Sequence, residues 1–446
     1  MLVYSNFARK CIPQENAVEG DFRKEYRGTM IFCIAMSFVL VLNYFLSNDY
    51  LALSCTIVVS AKLFICREKE LLPLSIYFSY LAYLFRFQKY NIYVFVCLAF
   101  IVRVTFLKKD NFLFTIIGIP LYFIVHLFSS TNVDFTVGDL IPLFSVMILM
   151  YACSVYNERH RDVCIYFFIV GHVVTSVLGL LRNISRLNII LNTTFVSVHS
   201  FRDSLRFSGL SYDPNFYTVT AAITLCILLL GFGYRIKTWK WFVATAITIS
   251  FGLITYSKSM IFCFIAIIAF SLFKAEHKTK LRILKMLPIF IILCLIFRRQ
   301  LFGIYETLMV RLDGADTAES LTTGRTKLWK MYYNDIFKST KSFLIGNGIV
   351  QYFTSAAHNT YLEILHKFGF IGAITEVIYL WGCNRRIGYK FTLSLNSIFV
   401  ILIVAALLFC LSAYTFYGLW SCIFIVMILV RKENQYAESF DNNTRL

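Results

Sequence analysis

Charge is what this 446-residue chain has least of: Lys, Arg, Asp and Glu make up 15% of it, against 58% hydrophobic residues. An ordinary soluble domain carries about 25% charged residues. A water-soluble fold this apolar would expose large greasy patches, which soluble proteins avoid. The scarcity therefore excludes a soluble enzyme, and apolar runs recurring from end to end exclude a soluble domain with a single anchor. The usual signatures of metal and nucleotide chemistry are also missing, since there is no HExxH, no paired-aspartate motif on an outer loop and no Gly-Lys-Ser/Thr phosphate loop. Nor is there a CxxC pair, and most of the 13 cysteines lie inside apolar runs, where a free cysteine acts as a small hydrophobe. The two longest polar loops, 182–215 and 303–359, hold no cysteine, which excludes a disulfide framework. A cleavable signal is not expected either. Residues 1–28 are polar and basic, and the apolar run from Thr29 is long enough to stay as an anchor.

What is present is a succession of apolar runs. A spanning helix needs roughly 20 apolar residues, and the runs read as about fourteen spans, or about twelve if the shortest merge. They begin at 29–46 and end at 414–430, with the short third and fourth at 71–86 and 92–107. The formal net charge of +18 follows from basic clusters between the runs, such as Arg23/Lys24/Arg27, Arg159/Arg161, Arg235/Lys237/Lys240 and Arg385/Arg386/Lys390. In the fourteen-span reading these clusters fall on one face, which the positive-inside rule makes cytoplasmic, so no nucleic-acid partner is needed to explain them. The expected organisation is a cytoplasmic segment 1–28, a membrane domain 29–432 with outer loops 182–215 and 303–359, and a cytoplasmic tail 433–446. Both outer loops are rich in arginine although orientation does not require it there. Arg86 and Lys89, in the turn between the third and fourth spans, are also on the wrong side of the rule.

Three stretches in these loops could do chemistry. In 201–220, Asp213-Pro214 reads as an N-cap with proline at the first helical position, preceded by Arg202, Arg206 and Gly209. A helix N-terminus beside two guanidiniums suits an anion, and an ordinary capped helix with headgroup-facing arginines fits the same residues. In 321–337, Leu328, Tyr332 and Ile336 form one helical row and Trp329, Tyr333 and Phe337 the next, an interfacial pattern with Arg325 at its start. In 346–372, Gly346 and Gly348 mark a turn, and Thr360 with Glu363 fits a capping box, so a helix is expected from Thr360. His358 and Asn359 then sit at the helix mouth, where the macrodipole disfavours imidazolium and helps keep a histidine neutral as a base. A hydrogen-bonded structural histidine fits that position too. Gly369 and Gly372 are expected to allow close packing against a neighbour. His126 and His172, inside spans, are expected as satisfied interhelical donors, and His366 as packing.

Taken in order, these pieces resemble the O-antigen polymerase and O-antigen ligase superfamily of bacterial membrane glycosyltransferases. The resemblance covers roughly 200–375: Arg206, Gly209 and Asp213-Pro214-Asn215; then Ser257-Lys258-Ser259, where arginine is more usual in the middle; then Gly324-Arg325 and Trp329; then Gly346, Gly348, His358-Asn359, Leu362, Gly369 and Gly372. It implies an all-α, GT-C-like membrane fold with two functional outer loops in the bacterial inner membrane. It implies undecaprenyl-diphosphate-linked oligosaccharides as substrates, with membrane lipid, a chain-length regulator and a flippase as candidate partners, and an inverting transfer with no metal or cofactor. His358 would be the base, with Arg206 and Arg325 stabilising the leaving diphosphate. Arg202, Arg311, Lys258, Asp213, Asn215 and Asn359 would bind substrate or hold the site. A polymerase is the favoured branch. A ligase acting on lipid A core, and a non-enzymatic flippase or transporter of lipid-linked oligosaccharide, remain open beside it.

Overall fold

The computed structural model describes residues 15–88, 90–108, 141–182, 207–211, 213–230, 238–255, 257–274, 325–348, 356–387, 394–411 and 418–430, with scattered helical positions between 280 and 305. The fold is helical. Helices α1 (Glu15–Leu46), α2 (Asp49–Ile65) and α3 (Glu68–Ser79) open it. A 3₁₀ turn (Ala82–Leu84) and an antiparallel hairpin, β1 (Arg86–Phe87) with β2 (Tyr90–Asn91), lead to α4 (Tyr93–Leu107). Then come α5 (Ile141–Val155), α6 (Arg161–Arg182), α7 (Pro214–Leu229), α8 (Thr238–Leu253) and α9 (Lys258–Lys274). The last are α10 (Arg325–Ile336), α11 (Thr340–Ile345), α12 (Thr360–Arg386), α13 (Leu395–Phe409) and α14 (Leu419–Val430).

Among the described residues, three helices are long and apolar enough to cross a membrane: Glu25–Leu46 of α1, α6 and α12. The other apolar helices, including α4, α7, α13 and α14, are shorter. The all-α membrane character expected from composition is therefore present, while the expected span at 112–129 lies outside the described residues. The third span differs from the expected 71–86. Its helix has 12 residues, about 18 Å at roughly 1.5 Å each, short of a hydrocarbon core of about 30 Å. The chain leaves it for the 3₁₀ turn and hairpin because Asn91 holds that bend closed. Its amide donates to the Ala82 carbonyl at 3.1 Å and its side-chain oxygen accepts from the Tyr93 N–H at 2.9 Å.

The core is built around α7, every residue of which is buried except Asn215. A helix apolar all round has no face for solvent and must be enclosed; α6, α8, α9 and α13 enclose it. Outward-facing side chains are apolar too, among them Ile31, Phe38 and Leu42 on α1 and Ile374, Val377 and Ile378 on α12. Water does not favour such a surface, whereas lipid does. Hydroxyls link the helices where apolar packing gives no direction. Ser37 meets Tyr77 at 2.9 Å, Ser79 meets Ser421 at 2.8 Å, and Ser176 meets Tyr217 at 2.8 Å. His172 breaks the expectation placed on it. It is fully buried, yet neither ring nitrogen has a hydrogen-bond partner among the described residues. Its ring packs instead against the Tyr217 ring at 5.1 Å and the Tyr80 ring at 6.4 Å, an aromatic slot with no acceptor placed for it.

One ionic latch ties α1 to the start of α3. Glu70 is buried, accepting from Thr29 Oγ1 at 2.7 Å, Arg67 Nη2 at 2.7 Å and the Arg67 N–H at 3.1 Å. Burial alone would push its carboxyl up, but these donors outweigh burial and hold it down at about 2. Lys69 pairs with Glu25 beside it.

Candidate functional site

Two groups of motif residues gather at helix ends. The first is the start of α7. Phe207 is fully buried, stacked on Phe251 at 4.9 Å, and its N–H donates to the Ile254 carbonyl at 3.2 Å. Gly209 follows in the left-handed region, φ +60. Added Cβ atoms explain why two glycines meet there. One on Gly209 would lie 2.9 Å from the Tyr217 ring, and one on Gly179 of α6 would lie 2.6 Å from Gly209 Cα. Asp213 is the N-cap expected, with Pro214 at the first position and the Asp213 carboxylate accepting from the Asn215 N–H at 2.7 Å. Asn215 Oδ1 accepts from the Ser257 hydroxyl at 3.3 Å, and Ser257 meets Ser259 Oγ at 2.8 Å. The Asp-Pro-Asn and Ser-Lys-Ser pieces are thus joined, with Lys258 as the first residue of α9.

The second group is a clamp around His358. α10 begins at Arg325, as its amphipathic pattern predicts, and buries Tyr332 and Ile336 while exposing Tyr333 and Phe337. Trp329 packs edge-on to Phe409 at 5.2 Å and donates its indole N–H to the Ala357 carbonyl at 2.8 Å. The Ala357 N–H donates to Glu363 Oε1 at 3.1 Å. On the other side of His358, the Asn359 side-chain oxygen accepts from the N–H groups of Tyr361 and Leu362 at 3.1 and 3.2 Å. His358 is therefore held between two fixed neighbours. It has φ +50, a conformation uncommon for a residue with a Cβ, and its side chain is partly exposed.

The helix starts at Thr360 as expected, but not through the expected capping box. Asn359 is the cap, Glu363 reaches Ala357, and the Thr360 hydroxyl donates to the Leu411 carbonyl at 2.6 Å. Asn359, expected to orient His358 or touch substrate, is buried with its side-chain oxygen spent on the cap. Arg325 Nη1 donates to the Cys410 carbonyl at 3.2 Å. The carbonyls of Cys410 and Leu411, just past the last residue of α13, thus accept from Arg325 and Thr360. A cation at this negative helix end is also favoured by the dipole.

Of the glycine pair, Gly369 packs closely against a neighbour as expected and Gly372 does not. Gly369 has φ +64 and breaks α12 into two helical pieces; a Cβ there would come 2.5 Å from Gly346 N. Gly346 is itself at φ +86 and faces the Lys367 carbonyl. This close contact is between α12 and the turn after α11. Gly372 meets its own helix instead, since a Cβ there would lie 2.3 Å from Phe368 Cβ.

The sequence did not single out Asp335. It accepts from Asn347 Nδ2 at 3.0 Å, pairs with Lys338 at 2.7 Å and lies 2.7 Å from His366 Nε2. Burial alone would raise its carboxyl, but the bonds to Lys338 and His366 outweigh burial and hold it below its ordinary value. His366, expected as packing, is buried as expected and also part of this network, with Tyr332 edge-on to its ring at 4.9 Å. The readable signal was Asp335 with Lys338, a carboxylate three residues before a lysine.

The helices that carry the two groups are neighbours: α13 packs on α7, α9 and α12, and Cys263 of α9 lies within electrostatic reach of Cys410. The structure thus brings Trp329 to the backbone beside His358, Arg325 to the Cys410 carbonyl, and Asn215 to Ser257. Arg202, Arg206 and Arg311 lie outside the described residues. Among the described residues no three His, Cys, Asp or Glu side chains gather as a metal site. In comparison with known proteins, the chain matches no family model, no curated protein and no solved structure.

Proposed function

We propose that the protein is a membrane glycosyltransferase of the O-antigen polymerase type. In this reading it joins undecaprenyl-diphosphate-linked oligosaccharide repeat units into a surface polysaccharide at the outer face of the bacterial inner membrane, on a GT-C-like fold with both termini inside. The observation that supports it best is the clamp on His358, whose preceding carbonyl is gripped by Trp329 one turn after Arg325. The candidate base is fixed in place by its neighbours, and the candidate cation lies one helical turn from the residue that fixes it, parts that a transfer to a charged leaving group can use.

The chemistry follows from the bonds that change. A sugar hydroxyl of the acceptor attacks the donor's anomeric carbon from the face opposite the lipid diphosphate, inverting that centre. His358, at the helix mouth, takes the hydroxyl proton. The bond to the diphosphate breaks, and its growing negative charge is met by Arg325 and Arg206, with Arg202, Arg311 and Lys258 in support. Asp213 and Asn215 hold the loop that carries Arg206.

A gel of surface glycan from a deletion strain tests this. Wild-type protein restores a ladder of repeat units, and His358→Ala or Arg325→Ala at equal membrane level leaves single units on the core. Normal ladders from both variants would remove these residues from the mechanism. Long lipid-linked polymer beside bare core in the deletion strain would make the protein the ligase. Repeat units trapped inside would make it a flippase, although a flippase would place its charges along a path within the bundle.

A further inference from the structure

Away from the His358 clamp, a cavity of about 200 Å³ opens where α1, the 3₁₀ turn, the hairpin and the end of α6 meet. Its lining includes Asn43, Tyr44, Asp49, Tyr83, Arg86 and Arg182. Its arginines mark it as a ligand site rather than a packing defect: Arg86 and Arg182 belong to the segments whose basic residues run against the positive-inside rule, and both line the same cavity.

The lining specifies the ligand's chemistry. Aromatic faces beside amides, a carboxylate and hydroxyls suit a hydroxyl-rich ring, and two guanidiniums against one carboxylate favour a ring that carries an acidic group. Arg182 is positioned by its neighbours: its guanidinium lies 5.0 Å over the Tyr44 ring and donates to the Ser211 carbonyl at 3.0 Å. Asp49 is fixed by the Gln88 N–H at 2.9 Å. The volume is below that of whole-ligand pockets, about 300–1,000 Å³, so one ring of a longer chain fits. The cavity also adjoins the first group of motif residues, because Ser211 lies just before Asp213 and Tyr83 stacks on Phe216 of α7 at 6.3 Å.

We infer that this cavity is a saccharide subsite that takes one acidic sugar ring. The inference rests on the transferase reading for the source of the glycan. The test is saturation-transfer NMR on the full detergent-solubilised chain with glucuronate, glucose and inorganic phosphate as probes. Glucuronate is expected to show transfer to its ring protons at least several-fold stronger than glucose. Arg86→Gln removes that preference, Arg86→Lys keeps part of it, and His358→Ala leaves it intact while abolishing the glycan ladder. No saccharide signal, a glucuronate signal unchanged in Arg86→Gln, or phosphate competition without any sugar binding overturns the inference. Intact glucuronate binding in a protein whose deletion leaves surface glycan unchanged keeps the subsite and sinks the polymerase reading instead.

Discussion

At the scale of single residues, the candidate site rests on side chains that grip backbone. The indole of Trp329 is the clearest case, because its one N–H fixes the carbonyl just ahead of His358. Trp329→Phe keeps the ring against Phe409 and removes only that bond. A net loss of about 0.5–1.5 kcal/mol is expected, too little to unfold the protein. The glycan ladder should nevertheless shorten, because His358 loses one of its two fixed neighbours. Equal ladders from wild type and variant at equal membrane level would show that the clamp does not set the histidine's position.

At the scale of elements, the bend in α12 separates two tasks. The piece before Gly369 carries the helix mouth and His366, and the piece after it carries the lipid-facing Ile374, Val377 and Ile378. Gly369→Ala would place a Cβ against Gly346 N in a left-handed conformation, which disfavours any side chain by about 1–2 kcal/mol before the clash is counted. A clear fall in thermal unfolding temperature and a disturbed His358 loop are expected; an unchanged melting curve would show that the bend relaxes freely. Much of this was legible beforehand. The helices from Pro214, Arg325 and Thr360 start where capping residues and amphipathic rows place them. What stayed hidden has a physical reason. The Glu363-to-Ala357 bond and the carbonyls of Cys410 and Leu411 depend on tertiary approach, and a backbone carbonyl leaves no mark in a sequence. The hairpin at 86–91 was missed because a short apolar run ending in Tyr, Phe and Arg reads equally as the end of a span.

At the scale of the whole molecule, an apolar bundle is joined at its margins by a few ionic latches. Glu70 offers the sharpest test. Its carboxyl is depressed from an ordinary 4.5 to about 2, so its contribution is present above about pH 4.5 and is lost as pH falls toward 2. Glu70→Gln should lower the unfolding temperature at pH 7, and the gap to wild type should close as the pH is lowered below 4. A gap that persists at low pH would mean that the latch acts by shape rather than charge.

The anchoring at the end of α13 has a consequence for how such a protein can change over time. Arg325, Thr360 and Trp329 donate to the main-chain oxygens of residues 410, 411 and 357, and every amino acid supplies that oxygen. The acceptor positions are therefore free to drift while the donors are not. A lineage could rewrite one side of each contact without loosening it, and come to share an arrangement with distant kin while sharing few letters with them.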